Sequence, residues 1–326
     1  MKETVPVVFA TDQKFAPYCS VSIASLINTR AFDRNYDVYV LYDELEIEDI
    51  EKLTSMSVDN VKITCINITQ YIDSKLLYTR GRQSVATYYR FFVAEALPNY
   101  SKILYLDSDI VILRDVGELF DIDQGENILA GVVIYRGKPE EKKQKETYLE
   151  NMLYITPEEY INAGILIINL EEFRKQNICQ KCIDYITEHR DLRWMDQDVL
   201  NAVCKGKIYF LPEEWNKSQL YYEEDYSLGR NLTNVGILHY LDRYKPWLVG
   251  FRRCYLFFYQ AASYSPYVEF LNQEFLKCNK EGCANPKAEI LKMSAQCQVG
   301  PRYFSKCLLK WAEGKTKLFL NRKKGE

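Results

Sequence analysis

The stretch from Lys102 to Asp115, Lys-Ile-Leu-Tyr-Leu-Asp-Ser-Asp-Ile-Val-Ile-Leu-Arg-Asp, constrains the fold more than any other part of this chain. Ile103 to Leu106 is a continuous apolar run, the pattern of a strand buried on both faces of a helix-covered sheet. The run stops at Asp107 and Asp109, and a second apolar run, Ile110 to Leu113, follows at once. Two carboxylates at i and i+2 repel one another and are costly to bury as bare charges. At the C-terminal edge of a parallel sheet, where ligands bind, a divalent metal is the natural opposing charge. Oxygen ligands suit Mg²⁺ or Mn²⁺, and a cation with few protein ligands can hold phosphates at its remaining positions. A solvated loop with two acids is the plainer alternative; the flanking strands favour the metal.

The remaining pattern supplies the rest of an α/β domain. Val5 to Ala10 reads as a strand with Pro6 near its start, ending in Thr11-Asp12-Gln13. A helix follows, with Cys19, Ile23, Leu26 and Ile27 on one stripe; Asp12 serves equally as its cap. Asp37 to Leu41 and Val61 to Ile66 read as strands separated by the acidic helix-like stretch Glu46 to Met56. Strand, helix and strand in alternation predict a mainly parallel central sheet flanked by helices. Between Ser84 and Leu97, the residues Val85, Tyr88, Tyr89, Phe92, Val93 and Ala96 have amphipathic α-helical spacing, with Thr87 and Arg90 together off the stripe. Arg90 in that position suits bidentate binding of a carboxylate or phosphate, or a surface ion pair. Ala163 to Leu170 is a second buried strand with Asn162 at its mouth, an amide offering donor and acceptor to sugar hydroxyls or simply capping a turn. Asp196-Gln197-Asp198 opens a helix whose Val199, Leu200 and Val203 face inward and whose end Gly206 marks. On spacing alone Asp196 is a helix cap.

Two known phosphate-binding patterns, G-x-G-x-x-G and G-x-x-x-x-G-K-[ST], do not occur, which again favours a metal and disfavours a nucleotidyltransferase. Only two histidines exist. His189 lies in the charged stretch Glu188 to Asp191 and reads as solvated, whereas His239 ends the apolar run Val235 to Leu238. An imidazole there is either a structural group or a third metal ligand beside Asp107 and Asp109.

The motifs Val8-Phe9-Ala10-Thr11-Asp12, Tyr88-Tyr89-Arg90-Phe91-Phe92, Ile103 to Asp109, Tyr160 to Leu170, Met195 to Asn201, and His239-Tyr240 with Lys245-Pro246-Trp247 together resemble glycosyltransferase family 8. That family contains the bacterial lipopolysaccharide galactosyl- and glucosyltransferases, which this chain resembles. The resemblance covers about residues 5–250 and implies a GT-A (Rossmann-like) fold, a UDP-sugar donor, Mn²⁺ and retention of anomeric configuration. It implies Asp107, Asp109 and His239 as metal ligands. Ala10, Thr11, Asp12, Arg90, Asp107, Ser108, Asn162, Ala163, Asp196, Gln197 and Lys245 are the implied substrate contacts, with Lys245 on the diphosphate. Gln197 and Asp196 are the implied catalytic pair. Gln197 matches the position on the reactive face of the anomeric carbon, and an amide is a weak nucleophile, so a charge-stabilising role is favoured. One departure matters: Asp242 stands where the family usually has Gly, adding bulk and a like charge where the backbone would approach a phosphate.

Charge is unevenly spread. Net charge is −3, yet residues 243–326 carry sixteen basic against six acidic residues, leaving 26 of the 42 basic and 39 of the 45 acidic ones in the body. The acidic body excludes nucleic acid as a partner. The tail, with Phe304, Leu308 and Trp311 among Lys306, Lys310, Lys315, Lys317, Arg322, Lys323 and Lys324, suits an anionic membrane surface or an acceptor, or is a solvated helix. The domain expectation is therefore a catalytic domain over residues 1–250 and a basic, aromatic helical extension over 251–326. The 26 tyrosines suit sugar-facing surfaces as well as ordinary packing, and the ten cysteines are scattered, with Cys179 and Cys182 read as packing. The start of the chain has no apolar leader segment and no run approaches a membrane span, so the expected location is cytoplasmic, peripheral on the inner face of the membrane. The expected activity is transfer of glucose or galactose from UDP-glucose or UDP-galactose to a glycan or lipid-linked acceptor, as in lipopolysaccharide or other surface polysaccharide synthesis. A catalytically impaired sugar-nucleotide-binding homologue is the alternative.

Overall fold

The computed structural model describes residues 3–73, 77–79, 84–134, 139–248 and 252–278. The basic segment expected to meet a membrane, with Phe304, Leu308 and Trp311, lies outside the described residues. In chain order the strands are β1 (Thr4–Ala10), β2 (Asn35–Tyr42), β3 (Val61–Asn67), β4 (Lys102–Leu106), β5 (Ile110–Ile112), β6 (Leu129–Val133), β7 (Ile161–Asn169), β8 (Ile208–Phe210), β9 (Lys217–Ser218) and β10 (Ile237–His239). The helices are α1 (Ala16–Thr29), α2 (Ile47–Thr54), α3 (Val93–Ala96), α4 (Val116–Phe120), α5 (Pro139–Tyr148), α6 (Leu170–Lys175), α7 (Ile178–Glu188), α8 (Met195–Val203), α9 (Gln219–Ser227), α10 (Tyr255–Ala262) and α11 (Val268–Cys278).

Seven strands form the central sheet in the order β3-β2-β1-β4-β7-β6-β8, and β5, β10 and β9 form a small second sheet. Pairings β3/β2, β2/β1, β1/β4 and β6/β8 are parallel, while β7 runs antiparallel to both neighbours, β4 and β6. The apolar runs are continuous because the sheet is covered on both sides. Val7, Phe9, Leu104, Leu106, Ile165 and Ile167 belong to one core, and Val8, Ala10, Ile103, Tyr105, Leu166 and Ile168 to the other. This period-2 alternation between two apolar environments makes every position in a strand hydrophobic. Helix α1 is buried at every residue from Ala16 to Leu26, so it is more than the one-stripe helix its sequence suggests: β5 packs against it and so does α10.

The core does not stop at residue 250. Cys254, Tyr255, Phe257, Phe258, Ala261, Ala262, Tyr267 and Leu271 share a core with β1 and α1, and Trp247 stacks on Tyr18 at 3.8 Å between ring centroids. The described part of the expected extension thus packs on the α/β body. Tyr267 reaches further and donates a 2.6 Å hydrogen bond to Asp49 of α2.

The segment expected as an α-helix over Ser84 to Leu97 is a 3₁₀ helix over Val85–Phe92 that becomes α-helical only at Val93–Ala96. The reason is burial on all sides: Tyr88, Tyr89, Phe91 and Phe92 are enclosed, and an amphipathic stripe has no meaning there. With three residues per turn, side chains at i and i+3 align, which puts Thr87 directly over Arg90.

Candidate active site

The β4–β5 turn carries Asp107, Ser108 and Asp109, and it is pinned by main-chain pairing and by two serine hydroxyls. The Asp107 amide donates to the Gly164 carbonyl at 2.7 Å, as a continuation of the β4/β7 ladder. Ser108 Oγ donates to the Ala10 carbonyl at 2.6 Å, and Ser22 Oγ of α1 donates to the carbonyls of Ser108 and Ile110. Strand β10 runs antiparallel to β5 with His239 opposite Ile110, and the Tyr240 amide donates to the Asp109 carbonyl at 3.0 Å. That register carries His239 back to the turn. Its Nε2 lies 3.2 Å from Asp109 Oδ1 and 3.8 Å from Asp107 Oδ2, and one ligand atom from each of the three residues falls within 4.8 Å of the others.

Two cations flank this cluster. The Arg90 guanidinium bridges two carboxylates, Asp107 at 2.7 Å and Asp196 at 3.1 Å, and also donates to the carbonyls of Thr87 and Ala163. Arg90 is only 4% exposed, so it is neither a surface ion pair nor an open phosphate receptor; its donors are turned inward. Burial opposes its charge, but Asp107 and Asp196 outweigh that and hold it firmly protonated. Lys245 pairs with Asp109 and donates to the Tyr240 carbonyl at 2.8 Å. Burial would raise the Asp109 carboxyl, yet the Lys245 ammonium holds it well below the usual carboxylate range. Exposure falls from 24% of the side chain at Asp107 to 14% at Asp109 and 2% at His239, so the open side of the cluster is at Asp107. Two carboxylates and one imidazole fit a divalent cation that keeps further coordination positions for an oxygen-rich ligand.

Across β7 lies the second half of the site. Asp196 does not cap α8: its Oδ1 accepts from Thr87 Oγ1 at 2.6 Å and its Oδ2 faces Arg90. Burial lifts its carboxyl to about 6, with Arg90 and Thr87 pulling the other way. Spacing misassigned it because a helix start attracts acids by default, while the partner that claims this one comes from the Val85–Phe92 turn. Gln197 Oε1 accepts from Asn162 Nδ2 at 2.8 Å and from the Ala163 amide at 3.2 Å, and its Nε2 donates to Tyr160 Oη at 2.8 Å. Asn162 stands inside β7 rather than at its mouth. Ala10 and Thr11 sit at the C-terminal end of β1, both buried, and Asp12 Oδ1 accepts from the Phe15 amide at 2.8 Å, capping the turn before α1. Thus Arg90, Asp107, Asp109, Asp196, His239 and Lys245 are joined by ion pairs at one edge of the sheet, with Asn162, Ala163 and Gln197 hydrogen-bonded to one another beside them and Ser108 tied to Ala10.

Asp242 has a left-handed backbone with φ +57° and is exposed. Glycine is favoured at such a position because it lacks the Cβ that crowds this conformation; Asp is among the side chains that tolerate it best.

Sequence reasoning missed three groups. A Cβ on Gly164 would stand 2.3 Å from His239 Cε1 and 2.5 Å from Asp107 Oδ2, so only glycine lets β7 pass beneath the cluster. A lone Gly amid Ile and Leu in a strand is a signal for such close approach. Asn216, at the end of a short 3₁₀ turn (Glu213–Asn216), places Oδ1 3.0 Å from His239 Nδ1; no local pattern marks it. Asp198, fully buried, accepts from Tyr160 at 2.5 Å, Tyr148 at 2.7 Å and the Trp194 amide at 2.9 Å; its sequence neighbourhood marks only a helix start.

With this geometry in place, comparison with known proteins identifies the scaffold. The family model described as Glycosyl transferase family 8 matches residues 6–249. A lipopolysaccharide 1,3-galactosyltransferase of Salmonella typhimurium is 27% identical over 271 residues, covering 80% of this chain and 78% of that protein. A lipopolysaccharide 1,2-glucosyltransferase of Escherichia coli is 26% identical over 259 residues, covering 75% and 73%. Among solved structures, the galactosyltransferase LgtC in complex with donor and acceptor sugar analogues superposes with a TM-score of 0.64 at 22% identity, covering 87% of this chain and all of that one. At that identity the likeness speaks for a shared GT-A fold.

Proposed function

The chain belongs to glycosyltransferase family 8, and on that premise we propose that it moves glucose or galactose from a UDP-sugar to a glycan or lipid-linked acceptor with retention of configuration. The observation that carries the reading is the convergence of Asp107, Asp109 and His239 at the sheet edge, flanked by Lys245. Mn²⁺ or Mg²⁺ held by these three residues would supply Lewis-acid charge to the departing diphosphate. Lys245, fixed by the Tyr240 carbonyl, adds positive charge at the same place. Arg90 acts through the carboxylates: it neutralises Asp107 and Asp196 and holds their separation. Thr11, Asp12 and Ser108 border the donor site from β1 and the turn. Asn162, Asp196 and Gln197 surround the sugar from β7 and α8. Gln197 Oε1 already accepts two hydrogen bonds, which occupy its lone pairs and argue against attack on the anomeric carbon; the role we propose for it is positioning beside the sugar.

The relatives named as lipopolysaccharide transferases support surface polysaccharide synthesis as the setting. Among the described residues no helix is long and apolar enough to cross a membrane; a cytoplasmic enzyme attached peripherally at the inner membrane face is the arrangement we propose. Measuring UDP release from UDP-glucose and UDP-galactose in Mn²⁺ tests the reading. Release from one donor, lost in Asp107→Ala/Asp109→Ala, is expected, and failure to bind UDP at all would overturn it. The second reading, an impaired binding homologue, is favoured only by Asp242; it requires UDP binding without release, with release regained in Asp242→Gly.

A further inference from the structure

Five hydrogen bonds link the His239 imidazole to the buried Asp198 carboxylate, and chemistry fixes the direction of each. Two backbone amides, which can only donate, set the orientation. The Gly164 amide donates to Asn162 Oδ1 at 3.0 Å, and the Ala163 amide donates to Gln197 Oε1 at 3.2 Å. The accepting end of each side-chain amide is therefore its oxygen, and Asn162 Nδ2 must be the group that donates to Gln197 Oε1. Asn216 then has no choice: facing Asn162 Oδ1 at 2.8 Å it must offer Nδ2, which turns its own Oδ1 toward His239 Nδ1 at 3.0 Å. An oxygen there demands a proton on Nδ1. At the other end Gln197 Nε2 donates to Tyr160 Oη, and Tyr160 Oη donates to Asp198, which also accepts from Tyr148 Oη and the Trp194 amide. All five bonds run the same way.

We propose that Asn216 is a positioning residue that selects the Nδ1–H form of His239, so that Nε2 presents its lone pair toward Asp107 and Asp109. The same Asn162 amide that orients Asn216 also holds Gln197, so the imidazole of the metal cluster and the amide beside the sugar share one support. This inference rests on the proposed function for its purpose, but not for its test. Asn216 is 1% exposed and immediately precedes β9, whose Ser218 pairs with His239 itself; the fold delivers it to the ring by register. A carbonyl oxygen on the far nitrogen is a common device for fixing the tautomer and raising the basicity of a metal-ligating histidine.

The experiment is ¹⁵N NMR of the imidazole nitrogens in the full-length, metal-free chain, followed to the alkaline plateau where the ring is neutral. With only two histidines, the His189→Gln variant assigns His239 by subtraction. Wild type should show the proton on Nδ1. Asn216→Ala should shift His239 to the Nε2–H form, or a mixture, and weaken Mn²⁺ binding by at least about tenfold. Asn216→Asp keeps the acceptor toward Nδ1 but loses the donor to Asn162 Oδ1; it should keep the Nδ1 proton even where stability falls, a rescue that a merely structural role would not produce. A wild-type ring protonated on Nε2, or an Asn216→Ala protein with unchanged tautomer and affinity, would overturn the proposal. The wild-type spectrum decides even if Asn216→Ala does not fold. Absence of UDP-sugar turnover would overturn the function proposed above while leaving the tautomer result standing.

Discussion

Replacing Gly164 with alanine is the sharpest test of how the cluster is built. The added Cβ would sit 2.3 Å from His239 Cε1 and 2.5 Å from Asp107 Oδ2. Carbon atoms pack best near ~3.5 Å, so the ring would have to retreat by about 1.2 Å. It cannot do so freely: His239 is in register with Ile110 and Ser218 and bonded to Asn216. Ligand distances in metal sites hold to within about 0.2 Å, so a displacement of this size removes at least one ligand from productive geometry. We expect Mn²⁺ affinity to fall by about 10- to 100-fold and stability to fall by about 1–3 kcal/mol from overpacking. Mn²⁺ titration followed by electron paramagnetic resonance reads the first, and denaturant unfolding the second. Gly131→Ala is the control. Its Cβ would meet Ile161 Cδ1 at 2.5 Å, in the same sheet but against a flexible apolar side-chain end, so it should cost stability and leave Mn²⁺ affinity intact. If Gly164→Ala binds Mn²⁺ within twofold of wild type, the cluster is not the metal site and the reasoning fails.

Other consequences follow from the same structure. Burial lifts the Asp196 carboxyl from an ordinary 3.8 to about 6, so folding favours its protonated form: its contribution is fully present below about pH 3.8 and is lost as pH rises through 6. The stability of wild type relative to Asp196→Asn should therefore fall by about 3 kcal/mol between those limits, and a pH-independent difference in denaturant unfolding would contradict this. At Asp242, with φ +57°, Asp242→Gly should change stability by less than about 1 kcal/mol, because relief of the Cβ clash opposes the extra unfolded-state entropy. Asp242→Val should destabilise by about 1 kcal/mol or more, and equal melting of the two variants would refute the left-handed assignment. Tyr267→Phe deletes a 2.6 Å hydrogen bond to the buried Asp49 and should cost about 1–3 kcal/mol; no change on unfolding would show that α11 is not tied to α2.

Local chemistry alone carried much of this protein. Apolar runs ending in acids, an imidazole or an amide are legible because a strand covered on both faces must be hydrophobic throughout and must turn polar where it meets solvent. Hence Ile103 to Leu106, Ala163 to Leu170 and Val235 to Leu238 could be read as strands flanked by polar groups, and Asp107 and Asp109 as candidate metal ligands; His239 joined them only through the resemblance to the family. Reading stopped where partners are set by register across long separations. Arg90 is separated by 106 residues from Asp196, so nothing local distinguishes a bridging guanidinium from a surface one. Asp196 looked like a cap because its true partners, Thr87 and Arg90, align only when their segment winds as a 3₁₀ helix, a choice made by enclosing aromatics on every side rather than by periodicity. Asn216 has no sequence signature at all; it matters because β9 lies beside β10. The sequence by itself determined which groups are chemically able to bind a metal and a sugar nucleotide. Tertiary structure decided which of them face one another and which way each hydrogen bond points, because strand register and two backbone amides of β7 settle those matters at a distance no local pattern spans.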